Sequence, residues 1–218
     1  MERLTSEQLK QEQKKTLASP RMRYGLLALF LFVTMDLLYG RRKTPSKFKV
    51  LEIVARMPYQ AWENVAYVAM THTHADPTFA RRIFDRVKES RLQQDNEQWH
   101  LLILVELTSG KGYHEDFLRY RLIPQLLAFV YYHISWLLYV IRPQWSYLLN
   151  AHFEDHAEHE YMEFVADNPD FEAEPFHSMF KNDYGQFASL ADLFRQIGYD
   201  ERVHKLESLA RMEAARFE

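Results

Sequence analysis

Asn96-Glu97-Gln98-Trp99-His100-Leu101-Leu102-Ile103-Leu104-Val105-Glu106-Leu107 sets a Glu and a His three residues apart inside an apolar run. Residues at i and i+3 share a helix face, so Glu97 and His100 offer a carboxylate and an imidazole to one point. Apolar residues recur around them at helical rather than alternating spacing, in Trp99, Leu102, Ile103 and Leu107. The same pair returns in Asp200-Glu201-Arg202-Val203-His204. With 19 Glu and 10 His in 218 residues, about one Glu-x-x-His arises by chance, so the spacing alone is weak evidence. A third copy, Glu174 to His177, encloses Pro175 within a Pro-interrupted run and does not suit a helix interior.

Two lone carboxylates, Glu52 and Glu154, turn the pairs into an ordered set of Glu, Glu-x-x-His, Glu, Glu-x-x-His. Ferritin-like bundles hold two iron or manganese ions with this set. The segments are 45, 57 and 47 residues apart, each interval long enough for a helix, a connection and a return. The expected fold is therefore all-α, a ferritin-like four-helix bundle around a di-iron centre, with additional membrane-associating helices. The chain has no Cys, so its metal ligands must be nitrogen and oxygen. Four carboxylates and two imidazoles suit two iron ions, with manganese the main competitor. Asn96 and Asp200, each directly before a ligand Glu, are candidates to orient the ligands by hydrogen bonds. A rival cluster, His152, His156 and His159, lies on another face of the Glu154 helix and reads as a solvated polar face or a surface zinc trap. Glu154, Glu158 and Tyr161 share one face, on which Tyr161 alone reads as an ordinary core tyrosine.

A net charge of −3 and the lack of a basic stripe interleaved with aromatics set a nucleic-acid partner aside. Residues 1–23 read as a polar surface arm with Ser6 and Ser19 as candidate caps. Residues 24–218 read as a single domain that includes a membrane-associating helix, 24–40. Its stretch YGLLALFLFVTMDLLY, residues 24–39, is shorter than the roughly 20 residues a span needs and carries Asp36. Cations flank it on both sides, which suits a helix lying in one leaflet, so attachment is expected to be monotopic. Residues 122–141 form a second apolar stretch, expected as a bundle helix with one outward stripe. Ligand helices are expected over 48–71 with a bend at Pro58, 92–108, 144–166 and 199–216. The basic stretch 81–91 reads as a separate solvated face.

Leu51-Glu52-Ile53-Val54-Ala55-Arg56-Met57-Pro58-Tyr59, Asn96-Glu97-Gln98-Trp99-His100-Leu101-Leu102, Glu154-Asp155-His156-Ala157 with Tyr161, and Asp200-Glu201-Arg202-Val203-His204 together resemble the alternative oxidases, and among them the plastid terminal oxidase branch. The likeness runs from about residue 24 to 208. It implies that Glu52, Glu97, His100, Glu154, Glu201 and His204 are iron ligands and that Tyr161 stands beside the di-iron centre as a catalytic residue. It further implies a monotopic membrane enzyme with O₂ as substrate and quinol as electron donor, making water without pumping protons, with a homodimer among the arrangements open to it. Lys47, Leu51, Phe153, His156 and Glu160 match quinone-pocket positions. Lys47 stands where the family has Arg, and it lacks the planar guanidinium fork. The third motif reads Glu-Asp-His, the 71–80 region is longer than usual, and no plastid transit peptide is evident. A bacterial membrane, such as a cyanobacterial thylakoid or plasma membrane, or a phage origin is therefore expected. The same ligands would also serve a di-iron hydroxylase or desaturase acting on a quinone or lipid, or a non-enzymatic ferritin-like metal-binding membrane protein.

Overall fold

The computed structural model describes residues 2–110 and 112–214, and among these it contains helices, turns and no strand. Eight α-helices follow in order: α1 Ser6–Ala18, α2 Leu26–Tyr39, α3 Pro45–Ala55, α4 Met57–Thr73, α5 Pro77–Gly110, α6 Ile123–Ile141, α7 Pro143–Asp167 and α8 Leu190–Glu213. A π-helical turn, Leu118–Leu122, leads into α6, and a 3₁₀ turn, Pro169–Glu172, follows α7. The four-helix bundle is α3 with α4 as one arm, then α5, α7 and α8; α7 packs along α8, and α5 along both α3 and α4.

The segment expected to bend at Pro58 breaks instead. Pro58 has no N–H to continue the α3 hydrogen-bond ladder, so α3 ends at Ala55 and α4 starts at Met57 around Arg56. The second ligand helix is longer than the pattern over 92–108 suggests. Nothing between Pro77 at its start and Gly110 at its end interrupts it, and the basic stretch 81–91 belongs to the same helix. Asp76 Oδ1 accepts the Phe79 N–H at 3.0 Å at that start. The last ligand helix begins nine residues before the expected Tyr199, where the Ser189 side chain accepts the Asp192 N–H. Gly198, inside this helix, is a packing device. A Cβ there would meet Met162 Cε at 3.1 Å and Tyr161 Cβ at 3.2 Å, so glycine lets α7 and α8 approach beside the site.

The expected surface arm is a packed helix. Thr5 rather than Ser6 caps the start of α1 in a reciprocal box with Gln8, Ser19 is its C-cap with its hydroxyl on the Thr16 carbonyl at 2.9 Å, and Leu9, Gln13 and Thr16 are buried against α7 and α8. Apolar packing among the described residues includes a layer around Phe48, Tyr161, Phe164 and Phe194, another around Phe32, Leu51, Tyr131 and Phe153, and smaller groups of Tyr59, Trp62, Tyr139 and Tyr147 and of Ala66, Ile83 and Val87. Outside the bundle, α2 exposes Leu26, Phe30, Val33 and Leu37, while α6 exposes Leu126, Phe129, Leu137 and Ile141. The stretch Leu118–Ile141 is long and apolar enough to cross a membrane by length and composition, and α2 is shorter.

Candidate metal centre

Each bundle arm turns one of the four sequence segments inward. Glu52 on α3, Glu97 and His100 on α5, Glu154 on α7, and Glu201 and His204 on α8 are all completely buried. They form two groups, Glu52, Glu97, His100 and Glu201, and Glu97, Glu154, Glu201 and His204. Within each group one ligand atom per residue lies within 4.8 Å of the others. Glu97 and Glu201 belong to both groups, which is the arrangement two bridged cations require. Glu174 and His177 lie outside helices and take no part.

The chemistry of these atoms asks for cations. Glu52 Oε2, both oxygens of Glu97 and of Glu201, Glu154 Oε2, His100 Nδ1 and both ring nitrogens of His204 are buried without a hydrogen-bond partner among the described residues. Such groups cost several kcal/mol per ion when left uncompensated. His204 Nδ1 lies 2.5 Å from Glu97 Oε1, and His100 Nδ1 lies 3.3 Å from Glu201 Oε1 and 3.5 Å from Glu52 Oε2. Without metal, protons must supply the positive charge. Burial and the charges of Glu201 and Glu97 push the Glu52 and Glu154 carboxyls well above the usual range. Burial depresses His204, but the Glu97 carboxylate outweighs it and brings the imidazole up to about 10. Burial would raise Glu97, but the charge on His204 holds it below the ordinary carboxylate range. Four carboxylate charges match two divalent cations, so the donor set fits two iron ions without leaving net charge in the core.

Surrounding groups orient the ligands. Asp200, completely buried, lies 3.3 Å from His100 Nε2 and accepts from Asn96 Nδ2 at 3.2 Å, Tyr184 OH at 2.9 Å and Arg3 Nη1 at 3.2 Å. Asp200 thus lies directly behind His100 and Asn96 reaches that ring only through Asp200, while Tyr184 and Arg3 were not legible in the sequence. Tyr161 OH donates to Glu52, and Tyr59 OH donates to Glu154 Oε1 at 2.7 Å. Tyr59 was missed as a site residue. Its signal is the interval, because Tyr59 follows Glu52 by seven residues, as Tyr161 follows Glu154. The two bonds cross, each tyrosine serving the carboxylate on the opposite arm.

The other expected clusters resolve differently. Glu158 shares the predicted face with Glu154 but turns to Thr16 Oγ1 at 2.5 Å, Arg202 Nε at 2.8 Å and Lys205 Nζ at 2.5 Å. His152, His156 and His159 do not converge on a metal. His152 Nδ1 accepts the Gly25 N–H, His156 stacks on Phe32 with ring centroids 3.9 Å apart, and His159 sits against the carbonyls of Asp155 and Ser19. The histidine row seats the segment that leads into α2. A third acidic group, Asp155, Glu158 and His159, lies close enough for a metal, but Lys205 and Arg202 already neutralise it.

Lys47, Leu51, Phe153, His156 and Glu160 all line one small cavity, together with Phe32 and Phe48. Its volume is about 20 Å³, close to what one water fills. Lys47 Nζ is bonded to Asp36 Oδ1 at 2.6 Å and to the Gly40 carbonyl at 2.9 Å, and Glu160 is paired with Arg21 at 2.9 Å. Burial and the charges of Arg21 and Lys47 bring the His156 imidazole down to about 3, so it stays neutral. Leu51 and Phe153 directly precede Glu52 and Glu154, so the cavity is one residue from two of the metal-facing carboxylates.

Comparison with known proteins agrees with this geometry. The chain is 32% identical over 131 residues to "Ubiquinol oxidase 4, chloroplastic/chromoplastic" of Arabidopsis thaliana, a match that spans 60% of this chain and 34% of that protein. That relative is described as a plastid protein, and nothing in the match supports the expected bacterial or phage origin. The alternative oxidase family profile matches residues 1–209, nearly the whole chain and including the N-terminal helix. The buried cluster of four carboxylates and two imidazoles therefore sits in a chain that belongs to the alternative oxidase family.

Proposed function

We propose that this protein is a quinol oxidase, attached to one membrane leaflet, that reduces O₂ to water at a non-haem di-iron centre without pumping protons. The observation that carries the reading is the pair of four-ligand groups sharing Glu97 and Glu201. Glu52 and His100 complete one metal position, Glu154 and His204 the other. Bound there, two irons supply the electron transfer that reduces one O₂ with the electrons of two quinols.

The remaining chemistry belongs to the side chains. Tyr161 OH holds its proton on Glu52, and its ring stacks on Phe48 with centroids 4.2 Å apart, between the narrow cavity and the metal-facing carboxylates. That position supports Tyr161 as the catalytic residue that passes charge from quinol. Asp200 fixes the His100 ring so that Nδ1 faces the centre. The cavity of Lys47, Leu51, Phe153, His156 and Glu160 is the quinol site in this reading. Phe32 covers His156, so the Phe32 ring must swing aside to admit a headgroup. The exposed apolar faces of α2 and α6 support attachment to the bilayer that holds the quinol.

Metal analysis with oxygen uptake on quinol tests the reading in wild type and Glu97→Ala. About two irons per chain and quinol-dependent O₂ uptake are expected in the wild type, and both should be lost in the variant. Full activity without Glu97 would refute the site. Labelled oxygen incorporated into the organic substrate would instead identify a hydroxylase, and metal without quinol-dependent uptake would identify a binding protein.

A further inference from the structure

A second cavity is far larger than the one beside Phe32. It measures about 580 Å³ and opens where the loop after α2 meets the start of α3. Arg41, Arg42 and Lys43 stand at its mouth, and Phe164, Phe171 and Phe194 lie deeper in its wall. Lys43 is paired with Glu163 at 3.0 Å and lies 3.7 Å from Asp167, a carboxylate that also lines the cavity. Arg41 and Arg42 have no acceptor among the described residues. The three phenyl rings form one packed group, with centroids 5.1 to 5.8 Å apart.

We infer that this cavity binds an anionic phospholipid, with its phosphate on Arg41 and Arg42 and the start of its acyl chains against the phenylalanines. Guanidinium forks are matched to phosphate oxygens, and an aromatic wall behind them suits an amphiphile better than a free ion. The mouth directly follows α2, whose last turn leaves Leu37 81% exposed, so the cations lie where an in-plane helix meets headgroups. The source of the ligand rests on the membrane attachment proposed above; the chemistry of the cavity does not. The small quinol cavity shares only Lys43 with this one, so the two ligands need not compete.

Dihexanoyl phosphatidic acid below its micelle concentration tests binding without a bilayer, by calorimetry on the full metal-loaded chain. Saturable binding is expected, at least about tenfold tighter than for dihexanoyl phosphatidylcholine or for inorganic phosphate, from two charge-assisted contacts and an apolar wall. Arg41→Gln with Arg42→Gln should weaken it about tenfold or more, and Leu107→Trp, which fills the cavity, should do the same. Equal affinity for both lipids, or indifference to the arginines, would overturn the site. Phosphate binding as tightly as the lipid would overturn the lipid identity. Flotation with phosphatidylglycerol vesicles, for wild type and Leu37→Glu, reads membrane attachment separately. Wild type is expected to float and Leu37→Glu to lose flotation with short-chain binding intact; a wild type that does not float but still binds the short-chain lipid would break only the attachment.

Discussion

Glu52, His100 and Tyr161 on one side of the metal centre face Glu154, His204 and Tyr59 on the other, the same three residue types in two settings. His100 is braced from behind by Asp200, itself held by Asn96, Tyr184, Gln196 and Arg3. His204 has no such brace among the described residues: its Nδ1 faces Glu97 Oε1 at 2.5 Å, and no carboxylate there bonds its Nε2. The tyrosines differ in the opposite sense. Tyr59 accepts a hydrogen bond from Asn150 Nδ2 at 2.9 Å and packs edge-on against Trp62, within an aromatic group away from the narrow cavity. Tyr161 stacks on Phe48, which lines the narrow cavity, and on Phe194. One half of the centre thus has a carboxylate behind its imidazole and lies toward the narrow cavity; the other has its imidazole beside the Tyr59 ring, within the aromatic end of the site.

Substituting the two tyrosines in parallel gives the largest test. Tyr161→Phe should lower kcat by roughly a hundredfold or more, the scale of losing a positioned proton donor, with iron content near wild type. Tyr59→Phe should cost less than about tenfold, as a neutral hydrogen bond is worth about 1 kcal/mol. Equal losses, read by oxygen uptake against metal content, would erase the asymmetry. Asp200→Asn comes next. It should weaken iron binding by roughly ten- to a hundredfold, as expected when a ligand loses its orienting carboxylate, and competition with a chelator would measure it. Two irons lost together rather than one first would show that the bridging carboxylates erase the difference. Arg3→Ala should have the smallest effect, a few-fold at most in the same assay, because Arg3 is partly exposed and three other donors still hold Asp200.

The metal centre was largely legible because helical spacing and ligand chemistry both leave marks in sequence. Glu and His three apart must share a face, and Pro175 removes the decoy whatever the fold. The helix ends were less legible, since tertiary packing overrode local signals. α8 starts nine residues before Tyr199 and runs through Gly198, a spot against which α7 packs closely. Likewise the charges of 81–91 conceal that Ile83 and Val87 are buried in α5. The polar arm gave no sign of packing, because it docks mainly through polar contacts: Gln13 donates to the Met162 carbonyl at 2.9 Å and accepts from Arg195 Nε at 2.8 Å. Such contacts depend on partners some 150 or more residues away in the chain. Glu158 shows the limit of face arguments, since a residue one turn from a metal-facing carboxylate can be claimed by a neighbouring helix.

The sharing of Glu97 and Glu201 also sets an order of events during synthesis. Each four-ligand group takes residues from α5 and from α8, the last of the ligand-bearing helices in chain order. A ribosome that has made the first three ligand segments still holds a nascent chain with neither group complete. Iron can settle into a finished site only after α8 has emerged and closed on the bundle.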